Sequence, residues 1–291
     1  MNNYNEEIID VTQENITSQS FEVEYNSKHY LQAIIIYFLS MYIGASFIQT
    51  LLIMIYPALF GKNPTYEDPF GNSQFTTHFI DFANLWTQIL VYGIIFTVLV
   101  LILKNAIRRD FARTKNDWKF TLKKVGLGIV YVYVASYACN ILLTLLQITQ
   151  DSENQDAIVG MLTSSNSFAI VLYILVLVIL APIVEELIFR KAMFGYMKKF
   201  NLSKTKKILI SGIIFGGIHV ATAILSMIIE SASIKEIITE VILGIPYCVM
   251  GIILSYTYAD SDENMAVPTL IHMFNNALSV ISIYLLMNLP E

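Results

Sequence analysis

Hydrophobic residues in this chain run in long unbroken stretches rather than in the narrow stripes of a water-soluble helix. A helix that crosses a hydrocarbon layer about 30 Å thick needs about 20 apolar residues. Seven stretches qualify: Ala33–Tyr56, Leu85–Leu103, Val125–Ile148, Phe168–Phe189, Ile208–Ile229, Ile237–Tyr258 and Ala266–Met287. Asp156–Ser165 predicts a further short helix lying at the interface. The expected fold is all-α, a polytopic transmembrane helical bundle of about seven spans, as the apolar runs alone imply.

Composition points the same way. Charged residues make up 14% of the 291 positions and hydrophobic ones 55%, with a mean hydropathy of +0.59. Soluble domains carry roughly 25% charged residues to face water. A net charge of -5 without a basic tail excludes a nucleic-acid-binding protein. Cys139 and Cys248 lie far apart in apolar runs, which is neither a disulfide framework nor a metal clip.

Charge also orients the chain. Fifteen of the eighteen basic residues fall between spans two and three (Lys104 to Lys124) or between spans four and five (Arg190 to Lys207). An even number of spans separates these loops, so they share a side, and the positive-inside rule makes it cytoplasmic. The N-terminus is then cytoplasmic and the C-terminus outside. Residues 1–28 are polar and acidic, lack the basic start of a signal peptide, and read as a disordered cytoplasmic tail. Residues 29–167 hold few intramembrane ionisable groups and read as a transmembrane scaffold, whereas residues 168–291 collect the polar chemistry.

Ionisable groups inside apolar spans are costly unless paired, so each is a functional candidate. Span four ends in Glu185-Glu186-Leu187-Ile188-Phe189-Arg190. Glu186 and Arg190 stack at i,i+4 with the acid first, the favourable order. Glu185 points about 100° away and has no local cation. Pro182, one turn earlier, removes a backbone hydrogen bond. Span five carries Phe215-Gly216-Gly217-Ile218-His219, and Gly212 with Gly216 lets another helix approach closely. Span seven carries His272 and Asn276 on one face, with Asn275 turned aside. Taken singly, these groups also fit a charged span end, a core histidine and interhelical polar glue.

As a set they suit hydrolysis. A carboxylate beside an imidazole can activate water, and a second imidazole beside an amide can hold an oxyanion. No serine or cysteine has a base at helical spacing, so a covalent nucleophile is not the first choice. Two histidines and a glutamate are also a familiar zinc set, although the HExxH spacing is absent and the ligands would come from three helices. Depth is a difficulty. Glu185 lies five residues before Arg190, whereas His219 lies twelve after Lys207, so the two would sit at different levels.

Glu185-Glu186-x-x-x-Arg190, Phe215-x-x-x-His219 and His272-x-x-x-Asn276, in this order on separate membrane helices, resemble the CPBP family. That family comprises the type II CAAX prenyl endopeptidases and their bacterial relatives, also called Abi. The resemblance covers Phe168 to Met287 and implies a metal-independent intramembrane glutamic endopeptidase without a cofactor. It implies that Glu185 and His219 activate water, that His272 and Asn276 form the oxyanion hole, and that Glu186, Arg190 and Phe215 support them. The implied partners are membrane lipids and a membrane-associated peptide or protein substrate. The alternative is a non-catalytic bacteriocin-immunity or sensor-regulating membrane protein. A transporter, with Glu240 in a proton relay near the outer interface, is a third reading, against which stands the lack of an internal repeat.

Overall fold

The computed structural model describes residues 27–164 and 166–287. Residues 1–26, and with them nearly all of the acidic tail, lie outside that range, as do 165 and 288–291. Seven helices are long and apolar enough to cross a membrane. They are α1 (Ser27–Phe60), α2 (Thr77–Asn116), α3 (Trp118–Leu145), α5 (Ser167–Phe200), α6 (Lys204–Ile229), α7 (Ile234–Asp260) and α8 (Ala266–Met287). The short helix α4 (Glu153–Ser164) joins α3 to α5. A hairpin of β1 (Thr65–Glu67) and β2 (Ser73–Phe75) joins α1 to α2.

Local sequence starts and stops these helices. Thr76, Asp117, Asn166 and Ser203 each accept a hydrogen bond from a backbone N–H in the first turn of the helix that follows. Ser233 and Glu236 close a reciprocal capping box at the head of α7. Gly61 ends α1 in the left-handed region at φ 63°. In the hairpin turn, the Asn72 backbone N–H donates to Asp68 and is the main reason its carboxyl lies below the ordinary value.

Several helices exceed the spans expected from hydropathy. The basic stretch from Lys104 to Lys124 is not a loop, because α2 and α3 run through it and meet at Asp117. Span four does not end at Phe189, because α5 continues to Phe200. Arg190 and Lys191, counted above among loop cations, are therefore inside the bundle, 0% and 2% exposed. The interfacial helix begins at Glu153 rather than Asp156, and α3 stops at Leu145 rather than Ile148.

Helix α5 is the axis of the molecule. From Leu187 to Phe194 every side chain is buried, against Ala33 and Tyr37 of α1 and Ile95, Leu99 and Leu103 of α2. A helix buried all round must be apolar all round or must pair its charges. Beside it, α6 and α7 touch backbone to backbone. A Cβ at Gly216 would overlap the Cys248 backbone, and one at Gly212 would overlap Ile252, so the small-residue pair does mark a close crossing. Gly217 faces open space instead. Met54, Leu101, Val134, Val171 and Ile213 are exposed on the outside of the bundle, where lipid is the compatible solvent.

The two ends of the bundle differ in charge. One, the basic end, holds the α2–α3 joint, the α5–α6 turn and the α7–α8 turn. There Lys191 Nζ lies 2.5 Å from Asp110 Oδ2 and donates to the Glu263 carbonyl at 2.9 Å. Asp110 also accepts from the Met265 N–H, pinning the α7–α8 turn between α2 and α5. The other end holds the hairpin, α4 and the α6–α7 turn. Glu67, Asp68, Asp151, Glu153, Asp156, Glu230 and Glu236 stand there against Lys62 and Lys235.

Candidate active site

Between the helices lies a cavity of about 700 Å³. Glu185, His219, His272 and Asn276 all line it, with Phe215, Tyr92 and Tyr247. The extra length of α5 removes the difficulty over depth. Glu185 precedes the end of α5 at Phe200 by fifteen residues, and His219 follows the start of α6 at Lys204 by fifteen. A tight turn joins these antiparallel helices, so the two side chains lie level. His272 reaches the same level from a recessed turn. It stands six residues past Ala266, and Glu185 stands six before Lys191, which holds that turn.

Irregular backbone in α5 sets the first groups. A π-helical turn spans Val176–Leu180, just before Pro182, which has no N–H to donate to the turn behind it. The Leu177 carbonyl there accepts from Asn276 Nδ2 at 2.9 Å. A second π-turn, Leu187–Ala192, carries Arg190 and Lys191.

Glu185 and Glu186 divide as their angular separation requires. Glu186 is 0% exposed and lies between Arg190 and His272. Its Oε2 is 2.9 Å from Arg190 Nε, a charge pair without hydrogen-bond alignment, and its Oε1 accepts from His272 Nδ1 at 2.9 Å. Arg190 Nη2 donates to the Gly251 carbonyl, and its guanidinium lies 4.7 Å from the Phe215 ring centre. Glu185 turns into the cavity. It accepts from the Tyr92 hydroxyl at 3.3 Å and stands 3.8 Å from His272 Nε2.

His219 is held differently. Its Nδ1 is 2.8 Å from the Phe215 carbonyl. A carbonyl oxygen only accepts, so Nδ1 carries the proton and Nε2 of the neutral ring is left as an acceptor. The ring stacks on Tyr247 at 4.9 Å between centres and an interplanar angle of 12°. Phe215 touches the rings of His219 and His272, at 4.8 and 5.6 Å between centres. Among the described residues, Glu185 and His219 face one cavity without a direct hydrogen bond between them.

Tyr92, Tyr247 and the Leu177 carbonyl were not legible as site groups in the sequence. Tyrosine is common in apolar spans, and only the hydroxyl that needs a buried partner hints at a role. Asn275 donates to Asn276 Oδ1 at 3.4 Å, a neighbour's support rather than a separate function. Glu240 is buried in α7 but does not line the cavity, and its carboxylate accepts from the Glu153 backbone N–H at the head of α4. Among the described residues no group of three or more His, Cys, Asp and Glu is gathered for a metal ion.

Residues 167–278 match the family described as type II CAAX prenyl endopeptidase Rce1-like, a stretch that contains every motif residue from Glu185 to Asn276. This segment and the seven apolar helices support a CAAX protease-like membrane endopeptidase.

Three individual relatives are similar to the chain over most of its length. Membrane-embedded CAAX protease MroQ of Staphylococcus aureus (strain USA300) is 27% identical over 203 residues, 68% of this chain and 74% of that protein. The "Putative membrane peptidase YdiL" of Bacillus subtilis (strain 168) is 27% identical over 244 residues, 80% and 86% of the two chains. An uncharacterised protein of Mycoplasma capricolum is 25% identical over 213 residues, 69% of this chain and 57% of its own length. No solved structure matches this chain.

Proposed function

We propose that the chain is a metal-independent intramembrane glutamic endopeptidase that hydrolyses a peptide bond in a membrane-associated peptide or protein. The observation that carries this reading is the convergence of Glu185, His219, His272 and Asn276 on one cavity from three separate helices. Residues 168–291 form the catalytic part and 29–167 the scaffold, which also lends Tyr92 to the site.

A water between Glu185 and His219 would give its proton to one of them as it attacks the carbonyl carbon. His219 Nε2 and the Glu185 carboxylate are the available acceptors. The oxyanion then needs donors. Asn276 has two N–H bonds and spends one on the Leu177 carbonyl, which leaves the other free and its amide fixed. His272 spends Nδ1–H on Glu186, so it donates from Nε2 only when the ring carries both protons. Collapse of the tetrahedral adduct expels the amine, which takes up the proton held by the general base. Glu186, Arg190 and Phe215 hold the imidazoles in place rather than react.

The basic end faces the cytoplasm in this reading, so the N-terminus is cytoplasmic. Moving Arg190 and Lys191 into the bundle leaves the other basic residues of Lys104–Lys124 and Lys198–Lys207 to set that orientation.

Glu185→Gln keeps the shape of the side chain and removes its charge. Membrane proteomes of cells carrying the wild type or this variant are expected to differ by precursors that accumulate with the variant. Full biological function of Glu185→Gln would instead favour the binding reading, in which the chain regulates a membrane partner without cutting it.

A further inference from the structure

The cavity has a direction. It starts at Glu185 and His219, midway along their helices, and extends to Glu153 at the head of α4 and Glu230 just past α6. From His219 to Glu230 is eleven residues, about 16 Å along a helix. Ala157, Ser226, Glu153 and Glu230 line the far part and are exposed. Among the described residues no such passage runs toward the basic end. Leu187, Ile188, Phe189, Arg190 and Ala192 are 0% exposed, and the Asp110–Lys191 pair closes the bundle below them.

The opening is therefore at the acidic end, where short helix α4 forms part of the wall. Ser152 and Asn154 at its head lie 2.9 and 3.2 Å from the Tyr247 hydroxyl, and Tyr247 stacks on His219. Gln88 of α2 meets Met161 further along α4.

We infer that the scissile bond reaches Glu185 from the non-cytoplasmic side. The substrate class this selects is a peptide segment displayed at or beyond the outer leaflet, either already exported or anchored there, rather than the cytoplasmic tail of a membrane protein. The inference rests on the peptidase reading for the identity of what enters, and on the cavity and the charge of the two ends for the route. A cytoplasmic tail would have to pass the buried ion pairs around Lys191 to reach the same carboxylate.

Thiol accessibility in intact cells tests the route. In a chain with Cys139 and Cys248 changed to alanine, Asp156→Cys marks the mouth, Ser226→Cys the cavity wall, and Lys199→Cys the basic end. A membrane-impermeant maleimide is expected to label Asp156→Cys and Ser226→Cys in intact cells at least tenfold more than Lys199→Cys. The last should label fully only after permeabilisation. Preferential labelling of Lys199→Cys in intact cells, or equal labelling of both ends, overturns the inference. So does labelling of Asp156→Cys but not Ser226→Cys in intact cells, when Ser226→Cys does react after permeabilisation. Cleavage retained by a folded Glu185→Ala chain would defeat the peptidase reading and leave the labelling result intact. Labelling from the basic end would defeat the route and leave the peptidase reading intact.

Discussion

Acids and cations sit inside both halves of this bundle, but they are used in opposite ways. At the basic end Asp110, Lys191 and the backbone of Glu263 and Met265 bond to one another in a closed, packed joint. In the other half Glu185, the Nε2 of His219 and one N–H of Asn276 face a cavity. The Glu186–Arg190–His272 group lies on the boundary and belongs to both, paired among itself yet holding the imidazole that reaches Glu185. Paired charge in a lipid-embedded core fixes one packing arrangement, whereas charge left facing a void is available for chemistry.

Substitutions in each half should separate the two uses. The largest effect is expected from His219→Ala, a loss of about 10²–10⁴-fold in cleavage rate, as for removal of a general base. Its thermal unfolding in detergent should stay near the wild type, because His219 is only partly buried and packs on a cavity. Unfolding of the variant would assign His219 to the packed half instead.

Arg190→Met should lose stability as well. It leaves Glu186 buried without its cation, and breaking such a pair costs about 3–5 kcal/mol. The melting temperature in detergent should fall clearly, and cleavage should fall with it, because Arg190 fixes Glu186 and through it His272. A variant as stable as the wild type would show that the pair adds nothing net. Gly216→Val should come next, because its side chain meets the Cys248 backbone, and overpacking costs about 1–3 kcal/mol. Loss of helix packing is again read by melting.

How much of this contrast could be read from the sequence varies residue by residue. The seven spans were legible because lipid demands long apolar runs, which leave a plain trace. The motif pairs were legible at i,i+4 because helix geometry puts such residues on one face. Arg190 and Lys191 were misplaced in a loop because a cation at the end of an apolar run usually marks the interface. Only the α2 acid Asp110, eighty-one residues away, shows why Lys191 can lie inside. Tyr92 and Tyr247 act across helices, and no local spacing encodes a cross-helix partner. The levels of Glu185 and His219 seemed to clash until the α5–α6 turn was placed at Asn201–Ser203.

The smallest effect belongs to the surface of the basic end. Burial alone would raise the Glu263 carboxyl, but the Lys198 hydrogen bond and the charges of Lys198, Lys207 and Lys191 outweigh it and hold the group below its ordinary value. The folded state thus favours the carboxylate, and the stabilisation is complete above the unfolded value of about 4.3. It is lost as pH falls through the lower folded value. Melting temperatures of the wild type and Glu263→Gln should therefore differ slightly at neutral pH and converge in acid. A difference that grows in acid would reverse the sign of the linkage.

In the proposed mechanism Glu185 is the carboxylate that activates water in this cavity. The direct measurement is cleavage of an accumulated precursor by purified chain in liposomes with a metal chelator present, comparing wild type with Glu185→Gln at equal folded amounts. Cleavage by the wild type is expected, with a rate about 10²–10⁴-fold lower for the variant. Cleavage at the wild-type rate by a folded Glu185→Gln chain would contradict that mechanism.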